Sequence, residues 1–250
     1  MTNKKRIVSL VLIYFTANLV AFPQNKVDDF RENFMKINFY KTKFENIKGY
    51  YFEGYEQSKF GKFKKDIDSI KIYAQKPNYS RTELTYPNKI SYCYNGIELV
   101  KVSAATDFKP QEIPLKTNPA IKQAIFSMFL NGFVSRSYII KENLIEKLKI
   151  ISDSTLIDGK RYYKLTQRLN EEFEFEYFIE FDTFFLFREN TIKNGEITNQ
   201  IDYSDYRKVE GIYFPFKKID NNILAGAINE RIIQKLTLNP TIPKGFFDCL

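Results

Sequence analysis

The chain has no histidine and no tryptophan, and only two cysteines in 250 residues. Without histidine it lacks the commonest general base, the usual activator of Ser or Cys nucleophiles, and the commonest metal ligand. Neither Cys93 nor Cys249 has an imidazole to draw off its proton. A Gly-x-Ser-x-Gly elbow, a Walker loop and a dinucleotide-binding glycine pattern are missing too. Carboxylate pairs such as Asp202 with Asp205, or Glu172 with Glu174, are present. A glycosidase needs two such groups facing each other across a cleft, and charged strand faces account for these. The expectation is a protein that is not an enzyme, with no cofactor and no metal site. The 10 Gly and 9 Pro nowhere gather into a linker, so nothing divides the chain.

What the chain does have is aromatic residues: 24 Phe and 17 Tyr, within a composition that is 44% hydrophobic and 27% charged. That is a globular composition with a bias toward strands. Residues 1–21 stand apart. Lys4, Lys5 and Arg6 precede the apolar run "IVSLVLIYFTANLVA", which ends at a small-residue cleavage signal, Leu19-Val20-Ala21. This pattern predicts a cleaved signal peptide, because the run falls short of the ~20 residues that span a bilayer. No Cys follows the apolar run, so a lipid-attachment signal is missing. The expected mature unit is a single domain, 22–250. Removing three of 38 basic residues against 30 acidic ones lowers the net charge from +8 to +5. The remaining basic groups alternate with acids instead of forming a stripe, which argues against nucleic acid and leaves a modest attraction to anionic head groups. An exported compartment permits a disulfide between the two cysteines; two free thiols satisfy the sequence equally well.

Val27, Phe30, Phe34 and Ile37 recur at helical spacing behind Asp28-Asp29, predicting an amphipathic helix over 27–39 that packs on a sheet. From Ile47 the period changes to two. "GYYFEGYEQSKF", "KKDIDSIKIYAQ", "NYSRTELTY", "KISYCY" and "IELVKV" read as an antiparallel meander, with an Asn95-Gly96 turn among them. The basic run 59–65 sits at its first hairpin tip as a solvated turn. A second helix is signalled in "TNPAIKQAIFSMFLNG" by a capping Asn118, Pro119 at the first turn and a terminating Gly132. Ile121, Ala124, Ile125, Met128 and Phe129 form its apolar stripe. Because it interrupts the strand series it must cross between parts of the sheet, which makes it a candidate lid. Strands resume with "NLIEKLKIIS", "GKRYYKLTQR", "EFEFEYFIEF", "FFLFREN", "NQIDYSDY", "GIYFPFKKI" and "INERIIQKLTL". In 172–181, Phe173, Phe175, Tyr177, Ile179 and Phe181 share one side, and Glu172, Glu174, Glu176 and Glu180 the other. Asp158-Gly159 and Asn194-Gly195 are hairpin turns. So many strands with two helices form a barrel or one large curled sheet whose concave face the helices cover.

The order of these pieces resembles that of the LolA-like outer-membrane lipoprotein-sorting proteins of Gram-negative bacteria, over nearly the whole mature chain. "IKGYYFEGYEQS" resembles the family's first strand and "IKIYAQKPNYSRTEL" its strand-turn-strand signature. "KISYCYNGIELVKV" and "IDGKRYYKLTQR" with "FEFEYFIEFDTFFLFREN" resemble its paired strands. "IDYSDYRKVEGIYFPFKKI" is similar to its hallmark hairpin, and "LTLNPTIPKGFF" to its closing stretch. The resemblance implies a mainly β (α+β) fold: a large curved antiparallel sheet, a half-open barrel of about 11–12 strands, with two or more helices closing the concave face over an apolar cavity. It further implies a periplasmic, monomeric carrier of lipoprotein acyl chains or other lipids, served by transfer components of the inner and outer membranes. Lys76 of "QKPN" falls where the family places a gating Arg, and lacks that residue's planar five-donor fork. Phe185–Phe187 replace a Leu-Pro-x-Lys pattern. The expected cavity lining is Ile121, Ile125 and Phe129 on the helix, sealing Phe173, Phe175, Tyr177, Ile179 and Phe181 on the strand. The alternative reading is an exported, non-catalytic interaction module whose aromatics form a solid core.

Overall fold

The computed structural model describes residues 29–30, 32–34, 46–64, 68–75, 79–85, 89–113 and 149–248. Residues 1–21, the helix expected around 118–132 and the gate residue Lys76 lie outside this set. The described chain forms a 14-stranded sheet in which every pairing is antiparallel. The strands are β1 (Gly49–Phe60), β2 (Phe63–Lys64), β3 (Asp68–Gln75), β4 (Tyr79–Leu84), β5 (Ile90–Tyr94), β6 (Leu99–Ser103), β7 (Gln111–Ile113), β8 (Lys149–Ile157), β9 (Lys160–Arg168), β10 (Phe173–Glu180), β11 (Leu186–Lys193), β12 (Glu196–Val209), β13 (Ile212–Asn222) and β14 (Ala227–Leu238). Across the sheet they run β7-β6-β5-β4-β3-β1-β14-β13-β12-β11-β10-β9-β8, with β2 paired onto the end of β1.

Two meanders are thus zipped together by their first and last strands, from Tyr50↔Leu238 to Phe60↔Ala227. Among the described residues β7 and β8 are the free edges, so the sheet is open. The chain leaves it at Ile113 on one edge and re-enters at Lys149 on the other. The sheet has 14 strands where the sequence indicates about 11–12, because β2 is two residues long and β7 three, too short to show a period.

Local chemistry explains the register. Asp158-Gly159, Asn194-Gly195 and Glu210-Gly211 each place two successive residues at positive φ, the geometry of a two-residue turn whose twist matches that of the flanking strands. Asn95 Oδ1 accepts the N–H groups of Ile97 (3.0 Å) and Glu98 (2.9 Å), closing the β5–β6 turn. In β1 the pairing shifts at Glu53/Gly54, and a Cβ on Gly54 would stand 2.0 Å from the Ile232 carbonyl oxygen. Only glycine permits that approach. In β12, Asp205 takes positive φ and drops out of the ladder between Ser204↔Lys217 and Tyr206↔Pro215. The register is the same on both sides of this gap, which lies beside Pro215, a residue unable to donate to a ladder.

Candidate functional site

The alternation of the strands gives the sheet one apolar face, buried in three patches. The first is centred on the seam: Tyr50, Phe52, Ile70, Ile72, Phe214, Ile233 and their neighbours, with Phe52 and Phe214 both at 0% exposure. The second lies on β9 to β11 and consists of Leu165, Tyr177, Ile179 and Leu186, with Tyr163, Phe175, Phe184 and Tyr203 half-buried around them. A small third patch holds Tyr94 and Leu99.

The second patch carries the sequence-predicted lining. Tyr177 and Ile179 are buried within it and Phe175 packs at its margin. Phe181, just past β10, stacks on Tyr163 with ring centroids 4.9 Å apart, and the Arg161 guanidinium lies 3.9 Å from its centroid. Phe173 sits half-buried at the start of β10, its ring 5.4 Å from the Lys193 ammonium. The strand therefore brings its five apolar residues to one side as the alternation requires. Ile121, Ile125, Phe129 and Lys76 lie outside the described residues.

On this patch sit Phe30 and Phe34, both buried and both in the described helical residues 29–30 and 32–34, which fall within the range where the spacing predicts a helix. Their rings stack at 5.4 Å; Phe30 also meets Tyr163 at 4.6 Å and Phe184 at 6.0 Å. Among the described residues, the α-helical ones, 29–30 and 32–34, lie on the second patch, and the remaining helical turn is the 3-10 segment Ala104–Thr106. Tyr163, Leu165, Phe184, Leu186 and Tyr203 belong to the patch but not to the sequence-predicted set. Tyr163 was findable, because it shares the parity of Leu165 in "RYYKLTQR"; Phe184 was not, since it reaches the patch from a turn at φ 57.

The opposite face is charged but not uniformly wet. Lys164 pairs with Glu176 at 2.5 Å, and Arg188 grips Asp202 with two bonds of 2.6 and 2.8 Å. Asp202 accepting those bonds raises the Arg188 guanidinium further above its ordinary range. Amid these charges Phe178 is buried, with the Lys164 ammonium 5.7 Å from its ring, and Tyr162 stacks on Phe187 at 4.8 Å. Phe178 thus breaks the expected division into an oily and a wet side. Nearby, the Tyr206 hydroxyl donates to the Leu186 carbonyl at 2.7 Å, and burial holds its pKa well above the usual phenol value.

The C-terminal segment packs on this same opposite face at the far end of the sheet. Phe246 meets Tyr73 edge-on at 4.7 Å, and Phe247 lies 5.7 Å from Tyr79. Arg81 donates to the Phe246 carbonyl at 3.1 Å. Cys93, at 0% exposure, is disulfide-bonded, and the sequence holds one other cysteine, Cys249. This resolves the choice that sequence left open between bonded and free thiols.

Among the described residues no group of three His, Cys, Asp or Glu is placed to hold a metal ion, and no helix is long and apolar enough to cross a membrane. Chemically the site offers an oily, ring-lined surface with cations at its rim.

Neither a family model nor a curated protein sequence matches the chain. Crystal structures that match it in three dimensions include the following three. A DUF1329 family protein from Desulfovibrio piger has 14% identity and a TM-score of 0.57, over 88% of this chain and 96% of that one. A LolA superfamily protein from Nitrosomonas europaea has 13% identity and a TM-score of 0.53, over 88% and 96%. A domain from Vibrio parahaemolyticus, named for outer membrane lipoprotein sorting, has 11% identity and a TM-score of 0.55, over 88% and 95%. The resemblance read from the sequence therefore holds at the level of fold: this chain is an open antiparallel sheet of the kind found in the LolA superfamily.

Proposed function

We propose that the protein is a periplasmic, non-enzymatic carrier that receives acyl chains of lipoproteins or other lipids against the apolar face of its sheet. The observation that carries this reading is the second patch, where an aromatic surface is covered from one side by Phe30 and Phe34. The lipoprotein-sorting name of the Vibrio structure and the LolA superfamily fold support the same reading. Ile121, Ile125 and Phe129 are proposed to complete the lining, Lys76 to gate it, and membrane transfer components to load and unload it.

The energetics favour a loose seal. At ~0.8 kcal/mol per methylene, one chain of about 14 methylenes gains on the order of 11 kcal/mol gross, and two chains approach the roughly 18–21 kcal/mol ceiling of non-covalent binding. A carrier has to release its cargo, so part of this gain must be returned. Displacing Phe30 and Phe34 from the patch does that, because the guest replaces contacts the protein already makes.

The test is uptake of a fluorescent acyl probe by the wild type and by Phe175→Asp. Phe175 packs at the patch margin, where a carboxylate can reach water. Uptake is expected to fall at least about ten-fold, equivalent to about 1.4 kcal/mol, with the far-UV circular dichroism of the sheet retained. Equal uptake by both proteins contradicts the reading.

A further inference from the structure

Three hairpin tips lie side by side at one end of the sheet. β1 turns into β2 at Gly61, β13 into β14 at residues 223–226, and β11 into β12 at Asn194-Gly195. Backbone bonds tie them together: Gly61 N–H donates to the Gly226 carbonyl at 3.3 Å, and Ile223 N–H to the Thr198 carbonyl at 3.0 Å. On or beside these turns stand Phe63 at 80% exposure, Leu224 at 76% and Phe60 at 60%, together with exposed Ile197, Ile223 and Ile228. Single exposed apolar residues are ordinary. Six on adjoining turns form a patch.

This patch is not the rim of the core. Between Phe60 and the seam patch, on the same face of β1, lies a polar band: Glu56 accepts from Arg231, and Ser58 Oγ donates to Asn229 Oδ1 at 2.7 Å. Its charge is one-sided at the first two tips, whereas the third turn carries acids as well, its Asn194 N–H donating to the carbonyl of exposed Glu172 at 2.8 Å. Lys59, Lys62 and Lys64 fall within residues 59–64, residues 223–229 hold no charged group, and on the third tip Lys193 stands opposite Glu196.

We propose that these tips dock on an anionic lipid surface, with Phe63 and Leu224 entering between the head groups while the lysines meet lipid phosphates. Protruding apolar side chains flanked by Lys suit the interfacial layer of a bilayer, and each Lys adds attraction to a negative leaflet. A stable protein partner of ordinary size needs roughly 800 Å² on each side; a bilayer accepts protruding tips one at a time. The proposal uses only residues outside the three buried patches, so it stands or falls separately from cargo binding.

Because the chain contains no tryptophan, a single introduced one reports on its own position. The experiment compares the full chain carrying Phe63→Trp with the full chain carrying Leu156→Trp. Leu156 is 67% exposed beside the β8–β9 turn, at the opposite end of the strands. Each is titrated with vesicles of phosphatidylcholine alone, or with phosphatidylglycerol added, whose acyl chains are brominated. Emission from Phe63→Trp is expected to shift to the blue and be quenched by the anionic vesicles. Apparent affinity should fall at least about ten-fold between roughly 0.05 and 0.5 M salt, and again when Lys59, Lys62 and Lys64 are changed to Gln. Leu156→Trp emission is expected not to change. The proposal is overturned if Phe63→Trp emission does not respond, responds equally to neutral vesicles, or is matched by Leu156→Trp. Phe175→Asp added to Phe63→Trp should leave the response intact. If it abolishes the response, the signal reports uptake at the apolar face: the tip proposal falls and the carrier reading stands.

Discussion

The seam patch and the β9–β11 patch share one face of one sheet, yet they are built differently. The seam patch draws on β1, β3, β13 and β14, mixes aliphatic and aromatic side chains, and shuts Phe52 and Phe214 entirely from solvent. The second is dominated by rings, and four of its members are only half-buried. Part of its cover comes from Phe30 and Phe34, which lie outside the strands. A close-packed interior fixes a structure, whereas a surface covered by one short segment opens at a fraction of the global stability. The first patch holds the two meanders together, and the second is where the proposed carrier would yield to a guest.

That contrast can be tested by truncation. Phe214→Ala should have the largest effect, a loss of about 3–5 kcal/mol in chemical denaturation, since its whole ring is enclosed. Next is Cys93→Ser, which frees the C-terminal segment from the opposite face and should cost about 2–4 kcal/mol, read as a lower denaturation midpoint than that of the oxidised protein. Phe30→Ala should cost less, about 1–2 kcal/mol, because the patch beneath keeps its strand contacts, and it should strengthen binding of the acyl probe. If Phe30→Ala costs as much as Phe214→Ala and leaves probe binding unchanged, the two patches are one kind of core. The smallest effect belongs to Asp205→Asn. Arg207 donates two hydrogen bonds to the Asp205 carboxylate, at 3.0 and 2.6 Å, and these hold its pKa below the ordinary carboxylate value. A depressed carboxyl adds stability above its unfolded pKa and loses it as pH falls toward the folded one. The pair is exposed, so the loss should stay below about 1 kcal/mol and vanish in strong acid, as pH-dependent melting would show.

Much of this architecture was legible where the signal is local. The Asp158-Gly159 and Asn194-Gly195 turns follow from residues that accept positive φ, and the shared side of Phe175, Tyr177 and Ile179 follows from a period of two. The helical spacing of Phe30 and Phe34 placed them on a sheet, though it named no strand for them to cover. What was illegible is long-range. Nothing in "GYYFEGYEQSKF" or "INERIIQKLTL" announces that these runs pair, because the seam joins the first and last strands of the sheet. The disulfide at Cys93, the packing of Phe246 on Tyr73 and the burial of Phe178 beneath charged neighbours are likewise set by the tertiary arrangement. Strand β8 runs on past the end of "NLIEKLKIIS" to Ile157, since "DSTLI" reads as polar turn chemistry until its partner β9 is known.

The most direct test of the carrier account is to recover the protein from the cells that make it, extract it with organic solvent and weigh what comes off by mass spectrometry. Acyl lipid in near-equimolar amount is the predicted result, reduced sharply in Phe175→Asp. Protein that arrives free of lipid, melts at the same temperature as the variant and takes up none when offered vesicles contradicts it.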